Sequence, residues 1–268
     1  MLLILLLLMT PAASPPLPAP AAASDAEAAY RQAQQARREG DLEGAMEAFE
    51  KAVRAQPDSL RFASEYRMTV IEAEAFDRAL AFFEELTAEN PESAHAFLNY
   101  GYAYVDKIPA AGSITQVLLA NNALKHFTRS VEIRPTWIGL YTRGSSYLFW
   151  PKIFNRAPLG VADLERAYAM QTEMAKQSYH SRVYVSLGDG YFKTDQPKKA
   201  RQVWRQGLEE FPSDEALKQR VEASDEELAQ LVDSGYDPNV RVSTDLRELW
   251  RQEQADKASA PNQEEDRP

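Results

Sequence analysis

One spaced set of residues recurs along the chain, and it limits the possible folds more than any other feature. Ala45, Phe49, Ala52 and Pro57 return 34 residues later as Ala79, Phe83, Leu86 and Pro91. They return again as Ala123, Phe127, Ser130 and Pro135, and as Ala200, Trp204, Gly207 and Pro212, with Gly160, Leu164 and Ala167 marking a copy between the last two. A second mark, Gly-x-x-Tyr, precedes three of these as Gly101/Tyr104, Gly144/Tyr147 and Gly188/Tyr191. Apolar residues three and four apart share one face of an α-helix, so each copy reads as two helices. Small residues let the two backbones approach, aromatic rings fill the space beside them, and the proline ends the second helix because it lacks an N–H. Such a pair cannot bury its own apolar face, and stability has to come from stacking on neighbours.

In residues and period the pattern resembles the tetratricopeptide repeat family, whose units of about 34 residues are antiparallel helix pairs. The resemblance runs from about Ala26 to Pro212. The first copy departs from it with Ala33 and Ala36 where Gly and Tyr are expected, and the second with Arg67 and Val70. It implies an all-α, right-handed superhelical solenoid of about five repeats, near 26–59, 60–93, 94–136, 137–180 and 181–212. The register predicts helices over 26–39, 42–55, 60–73, 76–89, 94–106, 116–133, 137–150, 159–176, 181–194 and 197–210. It also implies a concave groove, lined by the first helix of each pair, that receives peptide segments. At those positions this chain has Tyr30, Gln34, Ser64, Met68, Leu98, Tyr102, Tyr141, Ser145, Val185 and Asp189. The Lys/Asn/Arg clamp of chaperone-binding members is replaced at its opening positions by Tyr30, Gln34 and Glu65, which disfavours a receptor for chaperone tails.

Two copies are stretched. Gly101 and Ala123 stand 22 residues apart where Gly188 and Ala200 stand 12 apart, which gives the third copy an insertion around 107–116. Gly144 and Gly160 stand 16 apart, so the fourth carries a shorter one around 150–158. Insertions at the same turn of adjacent repeats emerge on one face, and these two are expected to be neighbours. The stretch that holds them is also electrostatically unusual. Over 94–160 seven Lys and Arg face only Asp106 and Glu132, a local +5 in a chain of net −10. Tyr102, Tyr141 and Trp150 with Lys107, Lys152 and Arg156 make up the candidate partner-binding residues, because aromatic and cationic side chains are the composition of binding hot spots. The plainer alternative is that Trp150, Ile153 and Phe154 only pack the longer loop onto the solenoid. Arg143 stands directly before Gly144 and requires an acidic partner if it is partly buried.

Met1–Met9 is an apolar run followed by a Pro/Ala-rich stretch with small-x-small sites at Ala19-Pro20-Ala21 and Ala21-Ala22-Ala23, which reads as a signal peptide over 1–23. The run is shorter than the roughly 20 apolar residues that cross a bilayer, so no stable span is expected after cleavage. An uncleaved membrane anchor is the alternative, since no Lys or Arg precedes the run. Beyond Pro212, residues 213–255 are expected to cap the solenoid. Ser213 offers an N-cap, Ser224 with Glu227 a capping box, and Thr244 the start of a last helix through Leu246, Leu249 and Trp250. Residues 256–268 are polar without an apolar period and are expected to be a disordered tail.

The function classes narrow by subtraction. With no cysteine, disulfides and thiol chemistry are absent. The chain has no Walker loop, no His-Glu-x-x-His and no Gly-x-Ser-x-Gly, and His95, His126 and His180 are scattered. No catalytic residue, metal or cofactor is expected, and the acidic balance argues against nucleic acid. The expectation is a non-enzymatic adaptor, exported to the periplasm, that holds a protein or peptide partner in the bacterial cell envelope. The alternative is an accessory of a solute uptake system that holds an acidic small molecule at the basic aromatic patch.

Overall fold

The computed structural model describes residues 20–237 and 242–250, so most of the predicted leader, 1–19, and the predicted tail over 256–268 lie outside the described residues. Ten helices form five antiparallel pairs: α1 (Pro20–Arg38) with α2 (Leu42–Ala55), α3 (Leu60–Glu72) with α4 (Phe76–Glu89), α5 (Ala94–Lys107) with α6 (Ser113–Ile133), α7 (Trp137–Leu148) with α8 (Ala157–Thr172), and α9 (Ser181–Lys193) with α10 (Pro197–Glu210). Each helix packs on the next, while α3 lies against α5 and α7 against α9, so the first helices share one side of the array. α11 (Glu215–Glu222) and α12 (Asp225–Gly235) close its far end.

The helices start where side chains can satisfy their first N–H groups. Ser59, Ser93 and Thr136 accept from Phe62 N, Ala96 N and Gly139 N at the starts of α3, α5 and α7. The Ser224/Glu227 capping box forms as the spacing predicts, whereas α11 is capped by Asp214 rather than Ser213. α1 begins at Pro20, ahead of the predicted 26, and α8 ends at Thr172, short of the predicted 176.

The recurrent marks meet inside the third, fourth and fifth pairs, where Gly101, Gly144 and Gly188 face Phe127, Leu164 and Trp204. A Cβ on Gly101 would lie 2.4 Å from the ring of Phe127, and one on Gly188 would lie 2.1 Å from the indole of Trp204. The large ring of the second helix therefore sits directly on the bare backbone of the first. Phe49, Phe83, Phe127 and Trp204 are all buried. Their clusters overlap from pair to pair, the first spanning α1 to α5, the next α5 to α9 and the last α7 to α12.

The three histidines are held neutral by this packing. His126 stacks on Tyr104 at 5.5 Å, and burial, with Lys125 beside it, pushes its pKa down to about 4. Burial lowers His95 and His180 as well. A depressed histidine contributes nothing above the unfolded value near 6.5, where both states are neutral. Below it the unfolded chain takes up the proton first, so folded stability falls until the folded group also titrates. Unfolding midpoints in urea should therefore drop between pH 6.5 and 4. His126→Phe should remove about 1–2 kcal/mol of that loss, solvent screening of the partly open ring included. An unchanged pH profile in that variant would contradict the assignment.

Candidate functional site

The stretched third and fourth pairs alter the solenoid on its concave side. Part of the predicted insertion over 107–116 is helical: a single 3₁₀ turn at Ile108–Ala110 leads into α6, which starts at Ser113 and runs 21 residues. The added turns carry Ile114, Val117 and Leu118 at i, i+3 and i+4, and all three are exposed, Ile114 to 84%. In the fourth pair a 3₁₀ turn at Lys152–Phe154 ends on Asn155 in the left-handed region at φ 49°. It leaves Ile153, Phe154 and Leu159 exposed. The two insertions line one cleft, Ile108, Pro109 and Gln116 from the first and Trp150, Phe154 and Arg156 from the second. Arg156 donates to Asn121 Oδ1 at 3.2 and 3.3 Å, and its guanidinium lies 3.6 Å from the centre of the Trp150 ring. Trp150 in turn meets Phe154 edge-on at 5.7 Å.

Between these walls and the inner helices lies an open chamber of about 1350 Å³. Tyr102, Tyr141, Trp150, Lys152 and Arg156 all line it. Lys107 does not; it leaves the end of α5 to pair with Asp77. Tyr102 is buried, its hydroxyl 2.6 Å from Thr142 Oγ1, and burial pushes its phenol up to about 12. It is a neutral hydrogen-bonding group rather than an open aromatic platform.

Of the cations over 94–160 only Lys152 and Arg156 line the chamber, and most of the local charge is paired. Lys152 pairs with Asp195 at 2.7 Å, Arg134 with Asp58 at 2.5 Å, Arg129 with Glu92 at 3.3 Å and Arg143 with Asp163 at 2.6 Å. All four carboxylates come from other copies or from the facing helix, beyond the reach of a local charge count. The partner expected for Arg143 is thus Asp163, held by two hydrogen bonds. Among the described residues no group of three His, Cys, Asp or Glu is placed to hold a metal ion.

The last wall of the chamber comes from the end of the chain. The sequence predicts that residues 213–255 act together as a cap, but of the described residues in that span α11 and α12 alone sit at the end of the solenoid. Residues 242–250 return to its concave side. Thr244 is non-helical and buried rather than the cap of a helix, and the helical turn that follows it begins at residue 248. The Thr244 hydroxyl donates to Asp106, and its carbonyl accepts from Arg67 Nη2 at 3.0 Å. Arg67, fully buried, also donates to Asp106 Oδ2 at 2.7 Å and to Asn99 Oδ1 at 2.9 Å, and lies over the Tyr102 ring. Leu246 is buried in one cluster with Leu98 and Tyr102, and Leu249 and Trp250 pack against it. Glu248 pairs with Arg182 of α9. Sequence reasoning missed this contact, although two signals mark it. Arg67 replaces the small residue of its repeat, and Asp106 is one of only two acids in the basic stretch. A comparable buried pair, Arg220 with Asp189 at 2.6 Å and the Tyr236 hydroxyl at 3.1 Å from the same carboxylate, fastens α11 and the end of α12 to α9.

A tetratricopeptide repeat family model matches residues 36–98. No curated protein matches the chain in sequence. Among solved structures, a thermophilic TPR protein of Thermus thermophilus is similar at 19% identity, with 73% of this chain and 96% of that chain covered and a TM-score of 0.50. A tetratricopeptide repeat protein from Parabacteroides merdae matches at 16% identity over 89% and 81% of the two chains, with a TM-score of 0.49. MamA from Desulfovibrio magneticus RS-1 matches at 17% identity over 71% and 97%, with a TM-score of 0.48. A tetratricopeptide repeat model thus matches residues 36–98, the third and fifth pairs repeat one small-on-aromatic contact, and the fold is that of a tetratricopeptide repeat solenoid.

Proposed function

We propose that this chain is a non-enzymatic scaffold that holds a partner protein on the concave side of its third and fourth pairs, outside the cytoplasm in the cell envelope. The observation that carries the reading is the chamber with its rim. The two stretched pairs set Ile114, Val117, Leu118, Ile153, Phe154 and Leu159 in water, with Val117 and Phe154 lining the cleft and the other four beside it in sequence. Apolar side chains concentrated on two segments that line one cleft mark a surface that another protein covers, whereas single exposed apolar residues carry no such meaning. Of the chamber-lining cations Lys152 pairs with Asp195, Arg182 pairs with Glu248 and Arg156 lies over the Trp150 ring, which favours a protein partner over a small anion that needs converging unpaired cations. Export rests on the leader-like run and small-x-small sites of the sequence. Among the described residues no helix is long and apolar enough to cross a membrane.

Fractionation and affinity capture test the two parts together. The chain should begin near Ser24 and be recovered from the envelope fraction, where tagged protein retains a partner. Leu118→Asp with Phe154→Asp should reduce that retention at least about tenfold, because each places a charge at a covered apolar contact. Both side chains are exposed in the free chain, so helicity and melting should be unchanged. Undiminished capture by the double variant would remove the rim from the site.

A further inference from the structure

The segment over 242–250 is bound to the concave face in the way an external peptide would be. It is joined to α12 only through residues 236–241, yet it reaches α3, α5 and α9, as far away as Arg67, 177 residues before Thr244. Its contacts divide into the two kinds that peptide recognition uses. Main chain and a short polar side chain are read by fixed groups, Arg67 on the Thr244 carbonyl and Asp106 on its hydroxyl. Side chains at alternate and then helical spacing, Leu246 and Leu249, enter the apolar cluster, and Glu248 meets Arg182. Extended peptides in grooves are recognised through main-chain hydrogen bonds for affinity and side-chain pockets for specificity.

The reading groups are built in advance. Arg67 is held from two sides on α5, by Asn99 and Asp106, and its guanidinium is stacked on Tyr102. Such a fixed pair presents a donor and an acceptor at one spot of the floor without reorganisation, which lowers the entropic cost of binding. Beside the segment the described residues leave the chamber open, with Tyr141, Trp150 and Phe154 in its lining.

We infer that the floor formed by Arg67, Asn99, Asp106 and Tyr102 is a peptide-binding site for a Ser/Thr–acidic–apolar segment followed by a second apolar residue three positions on, and that residues 242–250 are its resident occupant. The inference rests on the concave side being the partner surface, and it adds what the partner presents there. A partner segment of this chemistry replaces Thr244-Asp245-Leu246, and until it does the chain's own copy keeps Arg67 and Asp106 from taking the wrong ligand. Effective concentration favours the tethered copy, and a free segment of equal contacts competes only when the tether is removed or the contacts are weakened.

The full chain with a protease recognition sequence in place of residues 238–241 tests this. After cutting, the chain should keep its helicity and melt cooperatively. A labelled peptide of residues 242–255 should then bind the cut chain, and bind the uncut chain at least about tenfold more weakly. A peptide with Thr244→Val should bind the cut chain about tenfold or more less tightly, since a hydrogen bond to a buried charge is lost. In a second arm, the uncut full chain carrying Leu246→Ser and Leu249→Ser should gain binding of the unaltered peptide. Cut chain that loses its cooperative transition makes the segment part of the core and overturns the proposal. So does folded cut chain that ignores the peptide, or a Thr244→Val peptide that binds as well as the original. None of these readouts involves Leu118 or Phe154, so failure here is distinct from failure of the rim to hold a partner.

Discussion

Asp106→Ala is expected to destabilise the protein by about 3–5 kcal/mol, because it leaves the Arg67 guanidinium buried without its carboxylate. Arg67 is wholly removed from water, and Asp106 is the carboxylate it pairs with. The Thr244 hydroxyl loses its acceptor in the same stroke. Replacing both charges with apolar side chains of similar volume, Arg67→Met with Asp106→Leu, should recover much of the loss, since a buried pair is of little net benefit over packed hydrophobes. Urea unfolding followed by helicity checks this. A single variant that unfolds at the wild-type midpoint would mean that the pair is open to water, and with it the floor of the groove.

Trp204→Ala should cost about 3–5 kcal/mol as the truncation of a fully buried aromatic side chain. The indole lies against the bare backbone of Gly188 and reaches the Val185 carbonyl with its N–H at 3.3 Å. Its loss opens the last pair and weakens the seat of α11. In a stacked array each unit is stabilised by its neighbours, so the unfolding transition should broaden toward the C-terminal end rather than shift as one step. Hydrogen exchange should show α9 to α12 opening before α1 to α4. Equal loss of protection along the whole chain would contradict a nearest-neighbour solenoid.

How far the sequence could be read divides along the same physical line. The pairs were legible because their contacts are local and repeated: Gly101 against Phe127 and Gly188 against Trp204 are one contact written twice. Both insertions line the one chamber, and Arg156 reaches Asn121 on α6. The basic patch was misleading for the opposite reason. Charge counted along residues 94–160 omits Asp58, Asp77, Glu92 and Asp195, which arrive from other copies and neutralise most of it. Residues 242–250 were legible only as an amphipathic run. Their apolar spacing suits a capping helix as well as a segment laid along a groove. What decides between them is a hydrogen bond spanning 177 residues to Arg67, a position that shows locally only as a departure from the repeat.

Photo-crosslinking in living cells tests the central claim, that the third and fourth pairs hold a partner protein, most directly. A benzophenone amino acid in place of Leu118 or Phe154 should give discrete covalent adducts with another protein, while the same group in place of exposed Lys51, on α2 of the first pair, should give none. Adducts that arise as readily from position 51, or a folded chain that yields none from 118 and 154, would contradict the account.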